Sequence, residues 1–554
     1  METYKQDFEW VDSDPFFRVN GSNIYGILRS QRAHSVESLV LLVSYEQNAN
    51  FSDWRSHLSV GVAYELFRYF KSLKTLSRDF ILLVTEGGDV GVQAWLTGYH
   101  YFPLKPSPTG LRYSPIRGYA GELLGGFSID VRSLLVSGLQ LSIAGPNGIQ
   151  PNSDLLKLIS SMSEEFNLHV SIEKQLIHSA AFLHEYLGAY LPFKLSTDFF
   201  DLVVNMLLSQ ITGLPNGPHG PFLNLNIPFV TVRTLEGTKS NGVDILYFGR
   251  IIEKVMRVLD TVEEKLHQSF FYYILVTDKH FLPLSLYFIP ALFFFLSVSA
   301  LSLGLWLHCI SLIGRANPRA VNPAGDHLPK NLTESRYFKP HEPKGGLAFS
   351  LIAGQLRVSF FLAGLSILLA GFSTLLLLHF PTSVCTCTFA SMGLFSALVS
   401  VPRWVFRSPL EGNWRLLKYL TATCTSSVVL GIFFLNFPLG VMVSLVAIPL
   451  LLWARPLAED VIGNKLVSII FRGHLYPLLI PPVLITATEK FLRRSPTEDL
   501  SLFTRAYYLL GVWSLPLVSF LLWFLFYSSV IILFCPRISI KLKKVIDFNG
   551  NNGV

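Results

Sequence analysis

Past residue 280 the chain carries apolar runs longer than a water-soluble core uses, at residues 281–313, 358–380, 384–401, 416–435, 437–454 and 507–534. A helix needs ~20 apolar residues to cross about 30 Å of hydrocarbon, so these runs are read as membrane spans. A weaker candidate lies at 466–488, where Arg472 and His474 interrupt one end and Pro477, Pro481 and Pro482 strain a straight helix. It reads as a broken span or a re-entrant segment. Before residue 281 the apolar runs are short and separated by turn residues, as expected of a folded domain outside the bilayer.

Charge divides at the same place. The 554 residues hold 45 Lys+Arg and 38 Asp+Glu, a formal charge of +7; residues 281–554 have 22 and 10 of these, leaving 23 and 28 for residues 1–280. The basic surplus thus belongs to the apolar half, which argues for orientation in a membrane and against a nucleic-acid partner. Basic residues collect in the loop 314–355, at Arg403, Arg407 and Arg415, and in the tail at Arg537, Lys541, Lys543 and Lys544. Placing them in the cytosol requires seven spans, counting the weak one, with residues 1–280 on the opposite side. Six spans would strand the basic tail outside. Lys490, Arg493 and Arg494 oppose the seven-span scheme. The expected division is a domain over 1–249, an amphipathic juxtamembrane helix over 250–280, a membrane domain over 281–535 and a basic cytosolic tail over 536–554.

All five cysteines (Cys309, Cys385, Cys387, Cys424 and Cys535) lie in the second half, so the front domain has no disulfide. Cys385-Thr-Cys387 has the wrong spacing for a closed zinc site and reads as small residues packing between helices. If residues 1–280 face a lumen, the sequons at Asn20 and Asn50 are usable for glycosylation, whereas Asn331 is cytosolic and silent.

The front half reads as α/β. Residues 38–44 and 79–85 are short buried-strand patterns. A helical spacing of Leu58, Val62, Leu66, Tyr69 and Phe70 follows the first, and a helical stretch over 91–99 follows the second. This order predicts a mostly parallel sheet with helices on both faces. Further strands are expected at 138–143, turning at Pro146-Asn-Gly, and at 227–232.

Several of these segments, taken together, are similar to one family. Val19-Asn-Gly-Ser-Asn-Ile-Tyr-Gly-Ile-Leu-Arg29, the strand at 38–43, Leu82-Leu-Val-Thr-Glu86 through Ala94-Trp-Leu96, and Leu266-His-Gln-Ser-Phe-Phe271 before the first span resemble the glycosylphosphatidylinositol (GPI) anchor attachment protein family. The resemblance implies a Gaa-type subunit of GPI transamidase, the endoplasmic-reticulum complex that exchanges a protein's C-terminal signal for a GPI lipid. It implies a lumenal zinc-aminopeptidase-like domain followed by several spans. It also implies partners: the GPI lipid, proprotein substrates, and further subunits including a caspase-like cysteine protease to which cleavage belongs. Family members carry a span ahead of the lumenal domain. This sequence opens at Met1-Glu-Thr-Tyr without that span or a signal peptide, so either the N-terminus is missing from it or an internal span delivers the domain.

An aminopeptidase-like domain raises the question of zinc. Two zinc ions need about five His and carboxylate ligands at strand ends, with a glutamate to activate water. His219-Gly-Pro-Phe222 before Ile227-Pro228 resembles a late ligand motif, and Glu86 follows the second strand where a Glu-Glu pair is expected. Tyr45-Glu46-Gln47 replaces the expected His-x-Asp, Asp53 and His57 fall off the pattern, and Gln140 stands where a carboxylate would bind metal. The expectation is therefore no catalytic residue and no cofactor, with His219 as a hydrogen-bonded turn residue and Glu86 as a carboxylate near a helix N-terminus.

For the lipid, the last span contains Trp513-Ser-Leu-Pro516. Read as one helix from residue 507, it places Pro516 about nine residues, ~13 Å, below its start and displaces the carbonyl of Val512. The family associates a proline in the last span with GPI recognition, and Pro516 matches it. Val512, Trp513, Pro516 and, more weakly, Asn436 are the lipid-contact candidates, with a satisfied kink and a helix cap as the plain alternatives. Two other functions stay open: a lumenal zinc aminopeptidase, or a transporter, which would need paired half-helices or intramembrane charges. Arg357 sits at a span edge, where snorkelling accounts for it.

Overall fold

The computed structural model describes residues 1–11, 18–32, 36–45, 54–100, 110–173, 197–238, 241–262, 273–275, 280–315, 345–379, 414–454 and 504–533. The chain divides into two compact units. One gathers residues 1–289 with 433–439 and 488–515, and the other holds residues 290–432, 440–487 and 516–554. The candidate spans at 384–401 and 466–488, the cysteines 385, 387 and 535, Asn50, Asn331, Asp53 and the cluster at 490–494 lie outside the described residues.

The strands of the first unit are β1 (Glu2–Val11), β2 (Arg18–Leu28), β3 (Glu37–Tyr45), β4 (Asp79–Glu86), β5 (Leu111–Tyr113), β6 (Glu122–Asp130), β7 (Leu135–Ser142), β8 (His169–Ile172), β9 (Phe229–Glu236) and β10 (Val243–Asp244). They form one sheet in the order β10-β7-β9-β6-β3-β4-β2-β1-β5, with β8 also on β7. The four central strands β9, β6, β3 and β4 are parallel. Antiparallel β2, β1 and β5 extend one side and antiparallel β7 the other, so the sheet is mixed around a parallel centre.

Successive residues of a strand face opposite sides, and β3 shows what each side meets. Leu39, Leu41 and Val43 enter a core with α1 (Trp54–Ser72) through Phe67 and Phe70, with α3 (Ser153–Glu164) through Ile159, and with a further helix at 245–261. Val40 and Leu42 pack on the other side against Trp95, Leu96 and Tyr99 of α2 (Asp89–His100). A strand buried on both faces reads as an unbroken apolar run, which is why residues 38–44 were legible.

The helix at the end of the domain differs from expectation. It begins earlier, as α6 (Ile245–Thr261), after α4 (Thr197–Thr212) and the short α5 (Gly220–Asn224). Its apolar side, Phe248, Ile251, Ile252, Val255 and Met256, is fully buried in the sheet core. Its last carbonyls are held by Arg78, which donates to Leu259 O at 2.6 Å, to Asp260 O at 2.8 Å and to Val262 O. Asp260 in return accepts from the backbone of Ser77 and Arg78. The carbonyls of Leu259 and Asp260 at this helix end are thus paired within the protein, and the buried stripe is taken up by the core. Residues 250–261 of the amphipathic helix are thus packed on the domain core; residues 263–272 are outside the described set. Next come the hairpin strands β11 (Tyr273–Leu275) and β12 (Phe281–Pro283), so the first long helix starts at residue 284 instead of 281.

The long apolar helices are α7 (Leu284–Arg315), α8 (Gly345–His379), α9 (Trp414–Leu435), α10 (Phe437–Trp453) and, after a short α11 over residues 504–510, α12 (Ser514–Leu533). Four of them, α7, α8, α9 and α12, are long and apolar enough to cross a membrane. Within the second unit α7 and α9 run antiparallel, fixed by Ser302 on Thr423 at 2.7 Å and by Trp306 against Tyr419. Buried Lys418 of α9 donates to Leu452 O and Ala454 O at the end of α10, so this cation caps a helix. Every residue from Leu521 to Ile532 of α12 is buried, with Tyr527 bonded to Ser373 of α8 at 2.7 Å. A helix apolar all round and buried all round is the centre of its bundle.

The parallel centre depends on one glycine. A Cβ at Gly126 of β6 would stand 1.9 Å from Val40 O, a backbone atom that cannot turn aside. Gly126→Ala is expected to destabilise the α/β unit by about 3 kcal/mol, the upper end for overpacking, measured as a lower unfolding midpoint of the detergent-solubilised chain.

Candidate functional site

His219 closes the loop before α5 and is fully buried. Nε2 lies 3.1 Å from Ala144 O, just after β7, and Nδ1 lies 2.9 Å from Thr231 Oγ1 on β9. A carbonyl only accepts, so Nε2 carries the proton and the Thr231 hydroxyl donates to Nδ1. Burial, aided by the charge of Arg233, holds the imidazole down to about pKa 3, against the bond to Ala144 O, which favours the charged form. The ring is neutral at any physiological pH.

Glu86, the last residue of β4, accepts from Ser22 N at 2.8 Å and from Ser22 Oγ at 3.3 Å. Its partner is therefore strand β2 and not the following helix. β4 and β9 stand three strand positions apart, about 14 Å at ~4.8 Å per neighbour, whereas ligands of one ion meet within a few ångströms. Zinc binds an imidazole nitrogen at about 2.0–2.1 Å through its lone pair, and neither nitrogen of His219 has one free. His219 and Glu86 thus do not fit a zinc centre. Gln140 registers opposite Arg233 on β9, and His57 is exposed beside the Tyr45 ring. Among the described residues no group of three or more His, Cys, Asp or Glu gathers as metal ligands.

Next to His219 lies an ionic network that sequence reasoning missed. Arg233 of β9 pairs with Glu173, reaches Asp130 Oδ2 at 3.3 Å and donates to Asn216 O at 3.2 Å. Glu173 also accepts from Ser142 Oγ and from Asn216 Nδ2, and Asp130 meets Arg132 at 3.2 Å. Asn216 and Ala144 exchange two hydrogen bonds, which tie the network to the carbonyl that His219 uses. The sheet register alone creates it, by setting Asp130 opposite Arg233 and Ser142 opposite Thr231.

The lipid-contact candidates fall into place differently from the sequence reading. Residues 507–534 are not one helix. α11 ends at residue 510, Gly511 takes φ +70° with its N–H on Tyr507 O, and α12 starts at Ser514. A glycine in the left-handed region just past a helix is a standard stop signal. Pro516 is consequently the third residue of α12. The N–H it lacks has no intrahelical partner in a first turn, and the Val512 carbonyl precedes the helix, so the mid-helix kink is corrected. Val512 is buried against Phe8, Trp10, Val90 and Ala94 of the sheet unit.

Asn436 and Trp513, 77 positions apart, meet at one residue, Asn147 in the turn after β7. Trp513 N–H donates to Asn147 Oδ1 at 2.8 Å. Asn436 Nδ2 donates to Asn147 O at 3.2 Å and to Gln210 O at 2.6 Å. Asn436 Oδ1 accepts from Leu439 N, which makes it the N-cap of α10, as the plain alternative had it. Around this point Asn147 Nδ2 donates to Gly511 O, Ser514 Oγ to Thr212 O and Asn224 Nδ2 to Leu510 O. The Pro-Asn-Gly turn was visible in the sequence; what it would hold was not.

Compared with known proteins, residues 20–534 match the family model described as Gaa1-like, GPI transamidase component. The chain is 25% identical over 320 residues to the GPI transamidase component gaa1 of Schizosaccharomyces pombe, covering 56% of this chain and 50% of that protein. It is 26% identical over 276 residues to GPI transamidase component GAA1 of Saccharomyces cerevisiae, covering 48% and 39%. It therefore spans half or less of the length of these relatives. Among solved structures it is similar to BSAP, a zinc aminopeptidase from Bacillus subtilis, at 10% identity and TM-score 0.25 over 43% of this chain and 50% of that one. Porphyromonas gingivalis glutaminyl cyclase gives 12% identity and TM-score 0.25 over 46% and 84%.

The buried imidazole yields a pH test. Its folded pKa is depressed below the unfolded value, so the unfolded chain takes up a proton first and stability falls as pH drops below about 6.5. His219→Gln cannot titrate. Its stability deficit relative to the parent should shrink by up to ~1.4 kcal/mol per pH unit between about pH 6 and 4.5, read from denaturation midpoints in detergent. A deficit independent of pH would show that His219 is not held neutral.

Proposed function

The chain belongs to the Gaa1-like, GPI transamidase component family, and from that membership we propose that it is a non-catalytic subunit of GPI transamidase that binds and presents the GPI lipid and supports assembly of the complex. The observation that carries this reading is the extent of the family match, which runs through the sheet unit and on through the apolar helices to residue 534. In this reading the chain is a multi-pass protein of the endoplasmic reticulum membrane with residues 1–280 lumenal. Its partners are the GPI lipid, proproteins and other subunits, among them a caspase-like cysteine protease that does the cleaving. No resident metal is needed, and the engaged nitrogens of His219 weigh against peptidase chemistry of its own.

The lipid meets the chain, on this reading, around the start of α12. The first turn of a helix has backbone N–H groups without intrahelical acceptors, which above an apolar helix suit a phosphate or sugar, and a proline there fixes the turn's backbone without removing a helical bond. Asn436 and Val512 support that place as packing groups and are not themselves proposed as lipid contacts, since their hydrogen bonds and burial are already taken.

In cells depleted of their own subunit, the full chain should restore surface display of a GPI-anchored reporter. Normal expression without restored display would overturn the proposal. Pro516→Ala should leave co-purification of the other subunits intact while lowering recovery of GPI lipid, and undiminished lipid would count against the α12 site. Asn20 is exposed on β2, so lumenal placement predicts a glycosidase-sensitive mobility shift that Asn20→Gln removes. A parent chain with no such modification at Asn20 would argue against that orientation.

A further inference from the structure

The turn after β7 is unusual for a loop, because every residue from Gly145 to Ser153 except half-buried Ile149 is buried. Loops normally run on the surface, where water satisfies their backbone. Here protein must do so, and Asn147 does most of it. Its backbone sits at φ +58°, in the left-handed region that asparagine tolerates better than most residues. Its N–H donates to Gly213 O at 3.0 Å and its C=O accepts from Asn436 Nδ2. Its side-chain amide spans the break between α11 and α12, with Nδ2 on Gly511 O at 3.3 Å and Oδ1 on Trp513 N at 2.8 Å.

That two-point grip reads the backbone of residues 511–513 in a non-helical shape only. In a continuous helix Gly511 O would be directed to residue 515 and Trp513 N to residue 509, and neither would be open to Asn147. The surrounding contacts reinforce the register. A Cβ at Gly213 would meet Asn147 Cα at 3.2 Å and Ser514 Oγ at 3.2 Å, and a Cβ at Gly148 would stand 2.6 Å from Asn436 Nδ2. Only glycine at both positions lets residues 436 and 514 approach so closely.

We propose that Asn147 is a positioning residue: its side-chain amide fixes the break at 511–513, and thereby the first residue of α12 and the place of Pro516, for GPI attachment. The functional half rests on the reading of the chain as a GPI transamidase subunit; the structural half does not.

Asn147→Gly is the decisive variant. Glycine keeps the left-handed backbone without strain and keeps the bonds to Gly213 and Asn436, so it deletes only the grip on Gly511 and Trp513. In the detergent-solubilised full chain, hydrogen exchange at the Trp513 amide should accelerate about tenfold, the effect of losing an ordinary hydrogen bond. In subunit-depleted cells the variant should assemble at the parent level yet display less reporter. Asn147→Asp retains the acceptor for Trp513 and sets a carboxylate oxygen against Gly511 O. It should weaken display while Trp513 stays protected, and it serves if the glycine variant is degraded. Unchanged Trp513 protection in Asn147→Gly overturns the proposal, as does lost protection with undiminished display. Should the parent chain itself restore no display, the transamidase reading fails, and the exchange arm still decides whether Asn147 holds the break.

Discussion

A buried turn must find its backbone hydrogen bonds within the protein, and the long-range contacts of residues 144–151 follow from that need. The carbonyl of Ala144 is met by His219 and Asn216, the polar groups of Asn147 by Gly213, Asn436, Gly511 and Trp513, and the carbonyl of Pro151 by the hydroxyl of Tyr273. These partners come from residues 213–219, from the turn between α9 and α10, from the break before α12 and from the strand that leads to α7. This buried turn, together with the apolar packing of residues 506–512 on Phe8, Trp10 and Ala94, ties residues 433–439 and 504–515 to the same compact unit as residues 1–289.

Legibility followed the same physics. Strands buried on both faces and amphipathic helices announce themselves through composition, so β3, β4, β7, β9, α1 and α2 were read within a few residues. β1 was missed because only Gln6, Phe8 and Trp10 of its ten residues are buried, which leaves a mostly polar string. β6 was missed because Gly125 and Gly126, required by close backbone approach, erase the strand signature. The break before α12 had a readable sign in Gly511, yet a hydropathy run counts glycine as compatible with a span and so passes over it. Hydrophobic periodicity could not have found Asn147 or the Arg233 network at all, since the network is made by pairing within residues 130–233 and the Asn147 contacts by segments hundreds of residues apart.

The site candidates show how local identity and environment separate. His219 lies in a motif that in another setting would offer a metal ligand, and here it is a neutral core residue with both nitrogens committed. Trp513 was singled out for its place beside Pro516 in the last apolar run and Asn436 as a polar residue between two runs; each is part of an internal contact that holds a helix start. Pro516 stands in a first turn, and that position changes what it can do. It does not open the interior of a helix; it fits the helix start, where no intrahelical bond is lost.

The Arg233 network argues the point about chemistry most directly. Carboxylates at the ends of sheet strands are raw material for metal sites, because several can converge on one volume and an ion relieves their mutual repulsion. Asp130 and Glu173 do converge, and what stands between them is a guanidinium, itself held by the carbonyl of Asn216. A second guanidinium, Arg132, pairs with Asp130 from the other side. Two anions are thus balanced by two cations that the chain supplies covalently, with Ser142 and Asn216 both donating to the other oxygen of Glu173, Oε2. A divalent ion would have to expel Arg233 and strand its charge in a half-buried place, which is why these carboxylates serve to tie β6, β8 and β9 together and not to bind metal.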